Sequence, residues 1–442
     1  MKSLRLTIGV GLVLASGIGS SSGARAESLR EADVVRIALA KNPRVAEQEQ
    51  NVLGRQAALR AQTSELLPTA SLGTTVTRND AAVTTTTADW NSTPIALREL
   101  TVRARDTSTF TFDLSQPLFR GGSLLANRKS AALDRDAARA DLSATRGEVE
   151  LLAREAFYDL ALAQERVRIA EENLDQLRES YRVANRRFEV GAAPKSDQLR
   201  AEASVAEGEQ ALVKAESDVE VARAALNSIM LRPLDSAATA VVDDSLPQSE
   251  LALPSYLELA TRNRPELQAL ALRVGSAQSA RRSAAGSLLP NLSMQFHYQR
   301  DSSPGAFSGG QDSWYIAGVA RFDWPLGMGR VARVAEARAH ERALAFARDA
   351  NEQSILLEVE AAHAAVVVAR KGIELSDRRR AAAEESFRQV EVRYRNGDAA
   401  QVDFLDAQAR LTSAKVSQIE ERLGLRRAVA RLERAVGNSA HA

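Results

Sequence analysis

The chain has 442 residues, of which 5% are aromatic and 26% charged, and it has no cysteine. That composition suits long, water-exposed helices better than one thick core, and it excludes disulfides, a thiol nucleophile, thiolate metal sites and a lipid-modified N-terminal Cys. With 58 basic and 57 acidic residues the net charge is +1, so no basic surplus points to a nucleic-acid partner.

Residues 1–26 read as a signal peptide. Lys2 and Arg5 form a basic start, residues 6–18 are an apolar run too short for a comfortable membrane span, and Ala24-Arg25-Ala26 is an A-x-A cleavage site. The mature chain then begins at Glu27; an uncleaved anchor is the alternative. Loss of Lys2, Arg5 and Arg25 leaves 55 basic against 57 acidic residues. No later stretch approaches the ~18 uninterrupted apolar residues of a membrane helix. The exported chain is therefore either soluble or a β-type membrane protein.

An internal duplication follows. Asn42-Pro43-Arg44-Val45 leads to Glu65-Leu66-Leu67-Pro68, and Arg264-Pro265-Glu266-Leu267 leads to Ser287-Leu288-Leu289-Pro290. Asp113-Leu114-Ser115-Gln116-Pro117-Leu118 is answered by Arg321-Phe322-Asp323-Trp324-Pro325-Leu326, and Phe188-Glu189-Val190-Gly191 by Tyr394-Arg395-Asn396-Gly397. The first copy carries extra residues between its second and third landmarks. Two halves, 27–230 and 255–442, are joined by a linker at 231–254.

Each half predicts a helix framed by prolines (45–67 and 267–289), because proline is tolerated at a helix start and excluded within it. A pair of strands follows, then a rod: residues 124–188 would span ~95 Å as one helix. Val167, Leu174, Tyr181 and Phe188 recur by sevens with Ala170, Leu177 and Ala184 between them, an a/d seam. Val205, Leu212, Val219 and Leu226 answer on the returning helix. In the second half Ile373, Phe387 and Tyr394 share one register, which Arg380 breaks. Such rods must pair as antiparallel coiled coils, with Gly191-Ala192-Ala193-Pro194 and Asn396-Gly397-Asp398 as hairpin tips.

Four strands are predicted near 69–77, 107–115, 291–299 and 313–323. Leu292, Met294, Phe296 and Tyr298 alternate with Ser293, Gln295, His297 and Gln299. Phe110, Phe112 and Leu114 alternate with Thr109, Thr111 and Asp113. Trp314, Ile316, Gly318, Ala320 and Phe322 form a further set, and the first strand is weaker, with Leu72 and Val76 on one face. The alternation fits transmembrane strands with lipid on one side and a wet lumen on the other, and equally a half-buried soluble sheet. Trp90, Trp314 and Trp324 lie in or beside these segments, as an interfacial aromatic belt would place them. Four strands cannot close a membrane barrel, and open edges cannot stand in lipid. A membrane reading therefore demands three chains and twelve strands. The expected fold class is mainly α with membrane β: a trimeric 12-stranded β-barrel continued by a periplasmic α-barrel.

The order and spacing of NPRV, SLLP, FDLSQPLFRGG, RFEVGAAPKSD and RYRNGDAAQVDFLDAQ, behind a signal peptide, resemble the TolC-like outer-membrane efflux and secretion channels. The resemblance covers essentially the whole mature chain. It implies an outer-membrane homotrimer in contact with lipid, opened at its periplasmic end by an adaptor (membrane fusion) protein and an inner-membrane pump of RND, ABC or MFS type. The family branch with a lipid anchor needs the cysteine that this chain lacks.

The resemblance also assigns roles. Val190-Gly191-Ala192 is similar to the family's Val-Gly-Leu docking tip for the adaptor, with Ala for Leu; Asn396-Gly397-Asp398 departs further. Asp403 and Asp406 match two aspartates that ring the pore entrance. Positions three apart share a helix face, so threefold symmetry would focus six carboxylates on one constriction and favour cations. Two solvated helix carboxylates are the plainer alternative. Tyr394 and Asp197 match a pair that ties neighbouring hairpins in the closed state, although Tyr394 also fits as a seam residue. The family's second tie uses an Arg that falls on Ala399 here.

No catalytic constellation is evident: H-E-x-x-H and G-x-x-x-x-G-K-[ST] are both missing. His297, His340, His363 and His441 lack partners at metal-ligand spacing. No enzyme activity, cofactor or metal is expected. The competing class is a periplasmic structural coiled-coil scaffold without a pore.

Overall fold

The computed structural model describes residues 27–91, 93–243, 245–247, 252–302, 312–323 and 327–437. The signal peptide, Trp324-Pro325-Leu326 and His441 lie outside them. In chain order the elements are β1 (Glu27–Leu29), α1 (Glu31–Lys41), α2 (Pro43–Ser64), β2 (Thr69–Arg78), β3 (Val83–Asp89), β4 (Ala96–Arg103), β5 (Asp106–Arg120), α3 (Ser123–Glu189), α4 (Lys195–Ile229), β6 (Ala238–Ala240), α5 (Leu253–Asn263), α6 (Pro265–Gly286), β7 (Asn291–Asp301), β8 (Asp312–Arg321), α7 (Gly329–Asn396) and α8 (Gln401–Val436). The described residues form two compact units, 27–34 with 156–243, and 35–155 with those from 245 to 437. Among the described residues no helix is long and apolar enough to cross a membrane.

Prolines start the paired helices α2 and α6, each 22 residues long. Pro43 and Pro265 sit at the helix start, where the missing N–H has no intrahelical partner to lose. Asn42 caps α2 by accepting from the Arg44 N–H at 3.0 Å. The first rod, α3, has 67 residues and passes each expected end by one, and α7 has 68.

In the first unit, α4 lies against α3 along a seam of small residues. Ala201, Gly208 and Ala215 are buried by sevens, with Val205, Leu212 and Val219 half-buried between them. A Cβ on Gly208 would come within 2.9 Å of Leu177 Cδ1, so the glycine sets the closeness of the two helices. Beyond residue 170 of α3 the buried positions are Leu174, Leu177, Ser180 and Ala184. Val167, Ala170 and Tyr181 are only half-buried, and Phe188 is exposed, which corrects the expected register of this seam. A straight helix of 3.6 residues per turn drifts against a seven-residue repeat, so a stripe placed by sevens rotates out of the contact.

In the second unit, Ile355, Val359, Val366 and Ile373 of α7 form a core with Leu425, Val429, Leu432 and Val436 of α8. Arg380 does not end this seam. Its guanidinium bonds Glu384 at 2.7 Å and Gln418 Oε1 at 2.6 Å, and the Gln418 amide donates to Asp377 at 2.5 Å. This is a hydrogen-bonded polar layer between apolar ones, and Phe387 and Tyr394 resume the buried stripe beyond it.

The four expected strands form one antiparallel sheet in the order β2-β5-β7-β8. Its register aligns the alternation of all four. One face carries the rows Leu72–Phe112–Tyr298–Trp314 and Ala70–Leu114–Phe296–Ile316; the other carries Ser71–Asp113–His297–Tyr315 and Gly73–Thr111–Gln299–Ser313. β2 and β8 are the two edges. All four strands join their helices at one end of the sheet, where Arg120, Asn291 and Arg321 are paired. There Gly121, at φ +59°, approaches so close that an added Cβ would stand 1.9 Å from the Gly286 carbonyl oxygen.

β5 runs to Arg120, five residues beyond the expected end, with an irregularity between Pro117 and Phe119. Two pairings were not foreseen. The extra residues of the first half form the hairpin β3–β4 at the opposite end of the sheet. It continues the β2–β5 ladder through Asn79, whose N–H donates to the Arg105 carbonyl at 2.7 Å. Within the stretch read as a linker, β6 pairs in parallel with β1.

Candidate functional site

The apolar sheet face is built for contact rather than burial within one chain. Leu72, Val76, Met294, Trp314 and Ile316 are all exposed. Phe296 lies edge-to-face with Phe112 at 6.0 Å between ring centroids and 6.5 Å from Trp314. The opposite face carries a chain of polar contacts. His297 Nδ1 lies 2.6 Å from Asp113, its Nε2 3.4 Å from Gln299 Oε1, and its ring 5.1 Å from that of Tyr315. The Gln299 amide donates to Asp301 at 2.8 Å, as does the Thr109 hydroxyl at 2.6 Å. A wet face and a greasy face, in register over four strands, are what a strand wall between lipid and water requires.

Both helical hairpins turn in the same way. Gly191 (φ +74°) follows α3 and Gly397 (φ +89°) follows α7. In the first, the Ala192 N–H bonds the Arg187 carbonyl at 2.7 Å and the Gly191 N–H bonds Phe188 at 2.9 Å. In the second, Asp398 bonds Arg393 at 2.8 Å and Gly397 bonds Tyr394 at 3.1 Å. This is the Schellman motif, which ends a helix on a left-handed residue that only glycine adopts cheaply. An added Cβ at either glycine would meet nothing within 4 Å, so the constraint is conformational. Val190, Gly191 and Ala192 are exposed, as are Asn396, Gly397 and Asp398.

The expected gate residues follow these turns. Asp197 is the third residue of α4 and Asp403 the third of α8. Both sit in a first helical turn, where the helix dipole favours an anion. Asp197 lies 3.8 Å from Arg200. Asp403 and Asp406 are exposed on the side of α8 away from the buried Phe404, Ala407 and Leu411. Asp406 is not a bare charge: Arg410, one turn on, reaches it at 3.0 Å. Tyr394 is 4% exposed, and its ring stacks on Phe404 at 4.9 Å, with Phe387 at 5.5 Å on the same phenyl ring. The structure therefore gathers Asp403, Asp406 and Arg410 on one helix face and seats Tyr394 in its own hairpin; Asp197 belongs to the other compact unit. Arg410 carries a signal in the sequence, the Asp-x-x-x-Arg spacing of an (i, i+4) helix pair, which lies just beyond the motif ending at Gln408. Among the described residues no group of three or more metal-ligating side chains occurs.

The model of the outer membrane efflux protein family matches residues 34–230 and 256–438. The chain belongs to that family. The cobalt-zinc-cadmium resistance protein CzcC of Cupriavidus metallidurans is 26% identical over 199 residues, 45% of this chain and 47% of CzcC. The chain thus matches about half the length of that curated relative. Two solved structures are similar throughout. The outer membrane protein VceC of Vibrio cholerae is 16% identical at a TM-score of 0.78, with 92% of this chain and 96% of VceC covered. The open state of the MtrE outer membrane channel of Neisseria gonorrhoeae is 20% identical at 0.75, with 95% and 93% covered. At such identities the likeness is one of fold.

Proposed function

We propose that the protein is the outer-membrane exit duct of a tripartite efflux pump or type I secretion system. Three copies close a twelve-stranded barrel, β8 of each pairing with β2 of the next. The sheet carries this reading: its two faces differ in register over four strands, and its two edges have no partner strand within the described chain. Unpaired backbone in lipid costs several kcal/mol per group, so closure by further copies is the economical solution. The helical hairpins lie on the periplasmic side, where all four strands connect to helices. The duct is passive. An adaptor docks at Val190-Gly191-Ala192 and Asn396-Gly397-Asp398, and an inner-membrane transporter supplies energy and most selectivity. Asp403 and Asp406 ring the entrance, and Tyr394 with Asp197 helps hold it shut. The partial likeness to CzcC favours divalent transition-metal cations as cargo.

The test is biochemical. Membrane fractionation should place the protein in the outer membrane, and in mild detergent the particle should contain three chains with threefold symmetry. Release by osmotic shock as a detergent-independent monomer would refute the duct and favour a periplasmic scaffold.

A further inference from the structure

We propose that Arg410 sets the charge, and thereby the cation selectivity, of the constriction. The inference rests on the reading of Asp403 and Asp406 as its ring. The three side chains project from one exposed face of α8 within two turns, while Phe404, Ala407, Gln408 and Leu411 face inward. Arg410 Nη2 lies 3.0 Å from Asp406 Oδ2, with side chains 75% and 62% exposed. No described cation stands at ion-pair distance from Asp403. A pair so exposed adds little to folding. Its consequence is the field it leaves in the water beside it: when the pair opens, the guanidinium still hangs from the next turn and cannot leave.

Three copies bring six carboxylates to the ring and three guanidiniums with them. Asp406 is offset by Arg410, and the net attraction is that of the three Asp403 side chains. Conduction requires binding strong enough to admit an ion and weak enough to release it. Six uncompensated carboxylates would hold a multivalent cation and plug the entrance. Arg410 reduces the ring to an attraction from which a divalent cation departs.

The experiment uses purified full-length protein in planar bilayers, with reversal potential in a potassium chloride gradient and block by hexamminecobalt(III) from the periplasmic side. Arg410→Ala should strengthen cation preference and tighten the block roughly tenfold, the effect of three uncovered carboxylate charges on a trivalent ion at about one Debye length in water. Asp403→Ala and Asp406→Ala should each weaken preference and block. Asp406→Ala combined with Arg410→Ala should return both to wild type, and Arg410→Lys should leave them there. If Arg410→Ala changes neither quantity while Asp403→Ala lowers both, Arg410 is overturned and the ring stands. If no variant changes either in a conducting channel, Arg410 and the ring both fall, and the duct survives.

Discussion

Arginine at Phe296 tests the membrane face of the sheet at its most sensitive point. Phe296 is the sixth of the eleven residues of β7. At ~3.4 Å per residue it stands about 17 Å from either strand end, or ~13 Å in depth once the strand tilts by ~40°. That centres it in an apolar band about 25 Å tall. A midplane arginine on the lipid face costs about 2–4 kcal/mol, and loss of the edge-to-face contact with Phe112 adds ~1 kcal/mol. The sum, about 3–5 kcal/mol per chain, lowers the folded-to-unfolded ratio by a factor on the order of 100 or more. Gln295 is the control. It is paired with Ser115 and Ala317 on the polar face, and Gln295→Arg should fold as wild type. The assay is refolding of urea-unfolded chain into lipid vesicles, with the folded state read from its gel mobility and the urea midpoint. Equal loss from both substitutions, or normal folding of Phe296→Arg, would show that the apolar face does not meet lipid.

Two further outcomes rest on local geometry. Gly397→Ala should cost about 1–2 kcal/mol at the second tip, because alanine resists the left-handed region even with open space around its Cβ; hydrogen exchange at the Asp398 amide should quicken while the melting temperature of the protein as a whole stays unchanged. Glu266 supplies a pH dependence: its burial favours the neutral acid, but the Arg434 hydrogen bond and charge, with the charge of Arg264, hold it below its ordinary 4.5. A lowered carboxylate pKa contributes stability that is present above the unfolded value and lost as pH falls through the folded one. Thermal melting should therefore drop on acidification below about pH 4.5, and Glu266→Gln should flatten that slope; identical profiles would remove Glu266 from the balance.

The buried Arg264 shows how such a network escapes sequence reading. As part of Arg264-Pro265-Glu266-Leu267 it marked a repeat. In the structure it is 3% exposed, bonded to Glu358 and 3.5 Å from Glu266, which Arg434 also holds. These partners come from α6, α7 and α8, and no spacing along the chain announces them. Arg380 is similar: its place by sevens looked like a break in the seam until Gln418, 38 residues on, supplied its partner.

What the sequence determined by itself is whatever is written in short-range period and punctuation. Proline placed the starts of α2 and α6, period two marked the strands and their faces, glycine marked both hairpin tips, and the duplication carried each feature from one half to the other. Tertiary structure decided what depends on residues far apart. It chose the order β2-β5-β7-β8, aligned β5 with β7 across nearly two hundred residues, folded the extra segment into β3–β4, and turned Phe188 out of the seam while drawing Ala201, Gly208 and Ala215 into it. A side chain's face along its own element follows from backbone geometry, and could be read. Which element meets that face, and in what register, is settled by burial and hydrogen bonding summed over long-range contacts, and could not.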